Sequence, residues 1–296
     1  MRIVDIHTHG LGGYDTRTTN PDDILKIAEL HGAHGVSHIV STIYPGPIGV
    51  MRKDMAAVME AMEMQRTSLT NSRFKIQDSR LARIAGIHLE GPFLNPIRAG
   101  ALDKASFQKP SEISWKKLIE GFEDVVKIIT IAPELEGSQR IIQTISDMGI
   151  AVSLGHSDAT YREAEEAFHG GAKGITHLFN AMKGIHHRES GIAGFGLMNP
   201  DIYIEVIADP FHLDDRTMEL IFKVKNPAKI IIISDSIKKT AVTTKSHAIE
   251  GDDKAPQGGS MTITESANRL IGLGFDKDKV MACISANPWS YLLSGQ

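Results

Sequence analysis

Residues 230–235 read IIIISD. Four consecutive isoleucines present apolar side chains to both faces of a strand, which suits a parallel strand covered on both sides. The run then stops at a carboxylate, Asp235. Outward from it the arrangement recurs: VDIHTHG (4–10) carries His7 and His9, GIHLEGPF (86–93) carries His88 and Glu90, VSLGH (152–156) ends in His156, GITH (174–177) ends in His177, and YIEVIADPFH (203–212) carries Asp209 and His212. One ionisable residue after an apolar run is ordinary. Six such runs are the pattern of a (β/α)8 TIM barrel, whose catalytic residues come from the C-terminal ends of several strands.

Short β-branched runs alternate with helical stretches along the chain, as βαβ units require. The predicted strands lie near 2–7, 36–42, 83–88, 125–131, 150–155, 173–177, 203–208 and 229–234. Asn20 and Pro21 open a helix. Met51, Met55, Val58, Met59 and Met62 fall at helical spacing and read as core packing against the barrel. Ser157 and Asp158 are the expected cap of the helix after His156, and Ser260 is expected to begin a last helix through Ala267 and Leu270. Three long loops, 91–110, 179–200 and 236–259, follow strands that carry ligand-type residues. Loops of that length are usually functional or disordered.

The chain of 296 residues is 42% hydrophobic, enough for the core of a single barrel domain spanning 1–296. Its net charge of −4, with dispersed Lys and Arg, offers no nucleic-acid or membrane surface. The one cysteine, Cys283, excludes an internal disulfide and reads as a small buried residue. Nothing resembles a signal peptide or a membrane span, so the expected location is the cytoplasm.

His7 and His9, two residues apart on a strand, share a face, as do His88 and Glu90. Imidazole and carboxylate together are the ligand set of Zn²⁺ or Fe²⁺ in a hydrolytic site. Burying them without partners costs several kcal/mol. The joint set Glu90, His156, His177 and Asp235 therefore points to a divalent metal. The His7–His9 pair either binds a second ion or hydrogen-bonds within the barrel floor. His31, His34, His38, His169 and His247 read as ordinary histidines, and the sequence does not decide His186 and His187.

The motifs HLEGPFLNP (88–96), TIAPE (130–134), SLGHSDATY (153–161), THLFNAM (176–182), HRESGIAG (187–194) and ADPFH (208–212), followed by Ser234-Asp235, resemble the N-acetylglucosamine-6-phosphate deacetylase family. Their order and spacing match over roughly residues 3–290. The resemblance implies a (β/α)8 barrel, one or two divalent ions, and hydrolysis of the acetamide of a phosphorylated amino sugar by a homodimer. It implies Glu90, His156 and His177 as principal ligands, His7 and His9 as a second-ion pair, and Asp235 as acid/base at that centre. It places His212 at the acetamide and Asn180, Ala181 and Arg188 at the phosphate. Gln257, Gly258 and Gly259 fall in a substrate-contacting loop. Where some members place a substrate-facing histidine after Gly100, this chain has Ala101 and Leu102. Members also carry a small β-sandwich built from both termini, and the barrel here is expected to lack it.

Two other readings use the same residues. A metal-dependent phosphodiesterase or nuclease shares the ligand order, but the absence of basic clustering disfavours nucleic acid. A non-catalytic sugar-phosphate sensor would have no need of a general base. No lysine stands at a comparable strand end, which disfavours enzymes built on a carboxylated lysine.

Overall fold

The computed structural model describes residues 2–70, 81–241 and 257–294. His247 and most of the expected 236–259 loop lie outside them. Eight parallel strands form one sheet in chain order. They are β1 (Val4–Thr8), β2 (His38–Ile43), β3 (Arg83–Glu90), β4 (Val126–Ile131), β5 (Ala151–Leu154), β6 (Gly174–Ile175), β7 (Tyr203–Ile207) and β8 (Ile230–Ile233). The barrel closes where the Asp235 amide donates to the His7 carbonyl at 3.0 Å and Thr8 bridges Ser236 in parallel. This is the expected (β/α)8 architecture, with no β-sandwich among the described residues.

The isoleucine run explains the layering. Ile230 and Ile232 pack into the large apolar layer between strands and helices, while Ile231 and Ile233 join a smaller cluster with Tyr203 and Ile207. Apolar on both faces, β8 is buried throughout. A terminal helix, Ala286–Leu293, crosses the N-terminal end of the barrel. It sends Tyr291 into the smaller cluster and sets Trp289 against His38, the first residue of β2.

Several local expectations need correction. The helix after His156 spans Tyr161–His169 and is capped by Thr160 in a reciprocal box with Glu163. Ser157 and Asp158 instead serve tertiary contacts: Ser157 donates to Glu134 and Asp158 pairs with Arg98. The helix expected to start at Ser260 runs Ile263–Gly272 behind a Thr262 cap, and two more helices follow it. Part of the 179–200 loop is helix, Gly191–Met198, because GIAGFGLM is apolar enough to be buried on nearly every side. In the methionine stripe, on helix Ile48–Thr70, Met51, Met55 and Val58 are core, whereas Met59 is exposed. Cys283 is buried as expected.

Candidate active site

Three of the key side chains stand just past a strand, on residues with left-handed backbones: His156 (φ 47°), His177 (φ 31°) and Asp235 (φ 46°). That region is sparsely populated by non-glycine residues. Here the chain turns off each short strand, and the side chain is aimed across the barrel mouth. Glu90 reaches the same place as the last residue of β3.

The geometry identifies lone pairs. His156 Nδ1 donates to the Arg98 carbonyl at 2.9 Å, and His177 Nδ1 donates to the Asn180 carbonyl at 3.2 Å. A carbonyl only accepts, so each Nδ1 carries a proton and, in a neutral ring, each Nε2 offers a bare lone pair. Those two Nε2 atoms lie 3.1 Å apart, at 3.1 and 3.2 Å from Glu90 Oε1. Three lone-pair atoms at this separation repel one another unless a cation sits among them, so the residues fit a divalent ion. Burial opposes ionisation of the Glu90 carboxyl, and a cation held among these lone pairs would favour it.

A second convergence adjoins it. His7 Nε2 and His9 Nε2 are 3.3 Å apart, and Asp235 Oδ1 lies 3.4 Å from the first and 3.6 Å from the second. Glu90 spans both groups, because its Oε2 lies 3.2 Å from His9 Nε2. Deeper in the barrel His7, His88 and Glu205 form a third cluster. Burial, followed by Glu90, Glu205, Asp5 and Asp209, pushes Asp235 well above the usual carboxylate range. A nearby cation would pull it back down.

A cleft opens above these groups. Its wall includes Ala101, Leu102, Asn180, Ala181, His212, Gln257 and Gly258, all expected from the sequence. Arg188 is exposed and is not part of that wall; its backbone amide meets His186 Nδ1. Gly259 is also displaced from the expected surface: it packs against the end of β8, donating to the Asp235 carbonyl at 2.7 Å. His212 Nδ1 donates to Asp209 at 3.0 Å. Burial alone would raise Asp209, but that hydrogen bond, the His212 charge and the Ser260 amide hold it down at about 2.

The chain matches the amidohydrolase family over residues 3–284. It belongs to that family.

Among the relatives of this amidohydrolase, the N-acetylglucosamine-6-phosphate deacetylase of Bacillus subtilis (strain 168) is 30% identical over 89% of this chain and 64% of its own length. The N-acetylgalactosamine-6-phosphate deacetylase of Escherichia coli O157:H7 is 28% identical over 86% of this chain and 64% of its own. The chain thus spans about 64% of the length of these two relatives. A solved structure of N-acetyl-D-glucosamine-6-phosphate deacetylase from Mycobacterium smegmatis superimposes with a TM-score of 0.85 at 25% identity, covering 98% of this chain and 77% of that one. That structure is an aspartate-to-alanine variant in complex with N-acetyl-D-glucosamine-6-phosphate.

The sequence reading passed over two groups at the amidohydrolase site. Tyr44 lines the cleft and stacks on His9 with ring centroids 3.8 Å apart, and the Arg17 guanidinium covers its other face at 3.7 Å. Glu205, on β7, lies 3.1 Å from His7 Nδ1. Tyr44 follows an apolar run as the ligands do, so the same rule could have found it. Glu205 sits inside a run, where a buried carboxylate was itself the signal.

Proposed function

We propose that this chain is a metal-dependent deacetylase that hydrolyses the acetamide of N-acetylglucosamine 6-phosphate to glucosamine 6-phosphate and acetate. The observation that supports this most directly is the convergence of Glu90, His156 and His177 beneath a cleft that also holds Asp235 and His212. The similarity to amino-sugar phosphate deacetylases agrees with it. Glu90, His156 and His177 would hold the principal ion, Zn²⁺ or Fe²⁺. His7, His9 and Asp235 would hold a second, with Glu90 between the two. When bound, such an ion supplies positive charge that polarises a carbonyl and acidifies water.

The chain's own groups do the rest. Asp235 accepts the proton of the attacking water and returns it to the departing amine. His212, fixed through Nδ1 by Asp209, can donate from Nε2 to the acetamide oxygen that gains charge when its ring is protonated at both nitrogens. Tyr44, Ala101 and Leu102 give the cleft apolar surface, and Asn180 and Gln257 give it amide groups. The Arg188 guanidinium has no ion-pair partner among the described residues and so is open to a phosphate. The reading brings with it a cytoplasmic, homodimeric enzyme. Among the described residues no helix is long and apolar enough to cross a membrane.

The test is acetate release by metal-replete protein from N-acetylglucosamine 6-phosphate, N-acetylgalactosamine 6-phosphate and unphosphorylated N-acetylglucosamine. The first should be the best substrate. Arg188→Ala should weaken use of the phosphorylated sugar roughly ten- to hundredfold, the worth of a charged hydrogen bond, and leave the unphosphorylated sugar little changed. No acetate from any of the three would end the proposal.

A further inference from the structure

We infer that Glu205 is a positioning residue for the second cation position, holding His7 in the tautomer whose Nε2 lone pair faces His9 and Asp235. The inference rests on the metal-centre reading above and assigns a role to a residue outside it.

Glu205 lies between Ile204 and Val206, which pack in the layer under the helices, so its side chain points into the barrel. It is 1% exposed there. An ionised carboxylate in such a place is costly without a partner. Its Oε2 meets His7 Nδ1 at 3.1 Å, and its Oε1 has no hydrogen-bond partner. Burial pushes the Glu205 carboxyl up to about 7; in its ionised form it only accepts, and His7 Nδ1 is then the donor. The ring's other nitrogen, Nε2, is then a bare lone pair, pointed at His9 Nε2 and Asp235 Oδ1.

The alternative is that His7, His88 and Glu205 are themselves an ion site, since their ligand atoms lie within 4.8 Å of one another. Two contacts argue against it. His88 Nδ1 donates to the Ile6 carbonyl at 3.2 Å, and His88 Nε2 lies 2.8 Å from Thr130 Oγ1, so both of its nitrogens are occupied. His7 cannot give one neutral ring's single lone pair to ions on opposite edges. The deeper cluster is therefore the support of the upper one. A carboxylate behind a ligating imidazole fixes its orientation and raises its basicity.

The test measures Zn²⁺ affinity with a competing chelator, with thermal unfolding as the control for folding. Wild-type protein should bind two equivalents. Glu205→Leu should retain the ion at Glu90, His156 and His177 and bind the second about 10–100-fold more weakly, the usual effect of losing such a support. Glu205→Gln, whose amide oxygen can still accept from Nδ1, should lie closer to wild type than to Glu205→Leu. It also serves if the leucine variant does not fold. Glu205→Leu added to His7→Gln should weaken binding no further than His7→Gln alone. Wild-type affinity for both ions in Glu205→Leu, equal weakening of both, or additivity with His7→Gln would each overturn the inference. So would a wild-type protein that binds one ion, although deacetylation at a one-ion site would survive that result. Conversely, an intact affinity pattern without acetate release would remove the deacetylase reading and leave Glu205 its role.

Discussion

Asp235 faces two demands that conflict in a static structure. As the proposed base it would have to be ionised to take a proton, yet burial and four neighbouring carboxylates favour its neutral form. A divalent ion held by His7, His9 and Glu90 would resolve the conflict by adding opposite charge beside it. Asp235→Asn keeps the shape and removes the proton acceptor. It should lower turnover by at least about 10²-fold, while the ion at Glu90, His156 and His177 is retained. Near-normal turnover with full metal content would take Asp235 out of the mechanism. The principal set was legible in the sequence because each member ends an apolar run. The tautomers were not, since they depend on the carbonyls of Arg98 and Asn180, which only the folded loops bring to His156 and His177. Arg188 shows the converse: its place in a glycine-rich stretch gave a role, but spacing could not say that the side chain lies off the cleft wall.

Elements explain where the site stands. The strands were readable from β-branched runs, and their order follows from alternation with helices. Their ends were less so. The run expected at 173–177 forms only Gly174–Ile175, because the ladder stops where the chain bends toward His177. Capping positions were misplaced for a similar reason. Ser157 and Asp158 are good caps by type, but Glu134 and Arg98, distant in sequence, claim them first. The segment returning at Gly259 is packed against the end of β8 so closely that a side-chain carbon at 259 would lie 1.8 Å from the Ser234 carbonyl oxygen. Thr240 Oγ1 donates to the Gly259 carbonyl and tightens the contact. Gly259→Ala must therefore push backbone against backbone beside Asp235. The expected outcome is a loss of about 1–3 kcal/mol, the usual scale of overpacking, with a marked fall in turnover. Urea unfolding and acetate release would check it; wild-type values in both would show that the segment yields freely.

At the scale of the molecule, the barrel holds ionisable groups where a simpler fold would hold hydrocarbon. His31 is one that lies outside the metal clusters. It is fully buried, bonded through Nε2 to Thr8 Oγ1 at 2.9 Å, and burial followed by the His34 charge lowers its pKa from 6.5 to about 3. Between those values the unfolded chain binds a proton that the folded chain refuses. Its contribution is therefore whole above about pH 6.5 and is lost as the pH falls toward 3. The limiting slope is about 1.4 kcal/mol per pH unit. His31→Leu should flatten the dependence of unfolding free energy on pH between 7 and 5 by up to one proton. An unchanged slope would mean that the site is hydrated in solution.

The ion itself should act on the whole barrel. The proposed ligands of the principal ion come from the ends of β3, β5 and β6 and those of the second from the ends of β1 and β8, so the two charges together would tie five strands of the barrel to one another. An ion that binds the folded state and not the unfolded one stabilises by mass action, by about 4 kcal/mol when present at 1,000 times its dissociation constant. With about 2–4 °C per kcal/mol in a domain of 150–250 residues, chelation should lower the unfolding midpoint by on the order of 10 °C, and added Zn²⁺ should restore it. Metal content and midpoint should move together. Changing His7 and His9 both to Gln should reduce about two bound equivalents to about one and remove only part of the stabilisation. His156→Gln should disturb the principal site and remove more of it. If stripped protein, shown by metal analysis to be empty, melts where the loaded protein does, the convergence of Glu90, His156 and His177 is held by the fold alone and the ion contributes nothing to its stability.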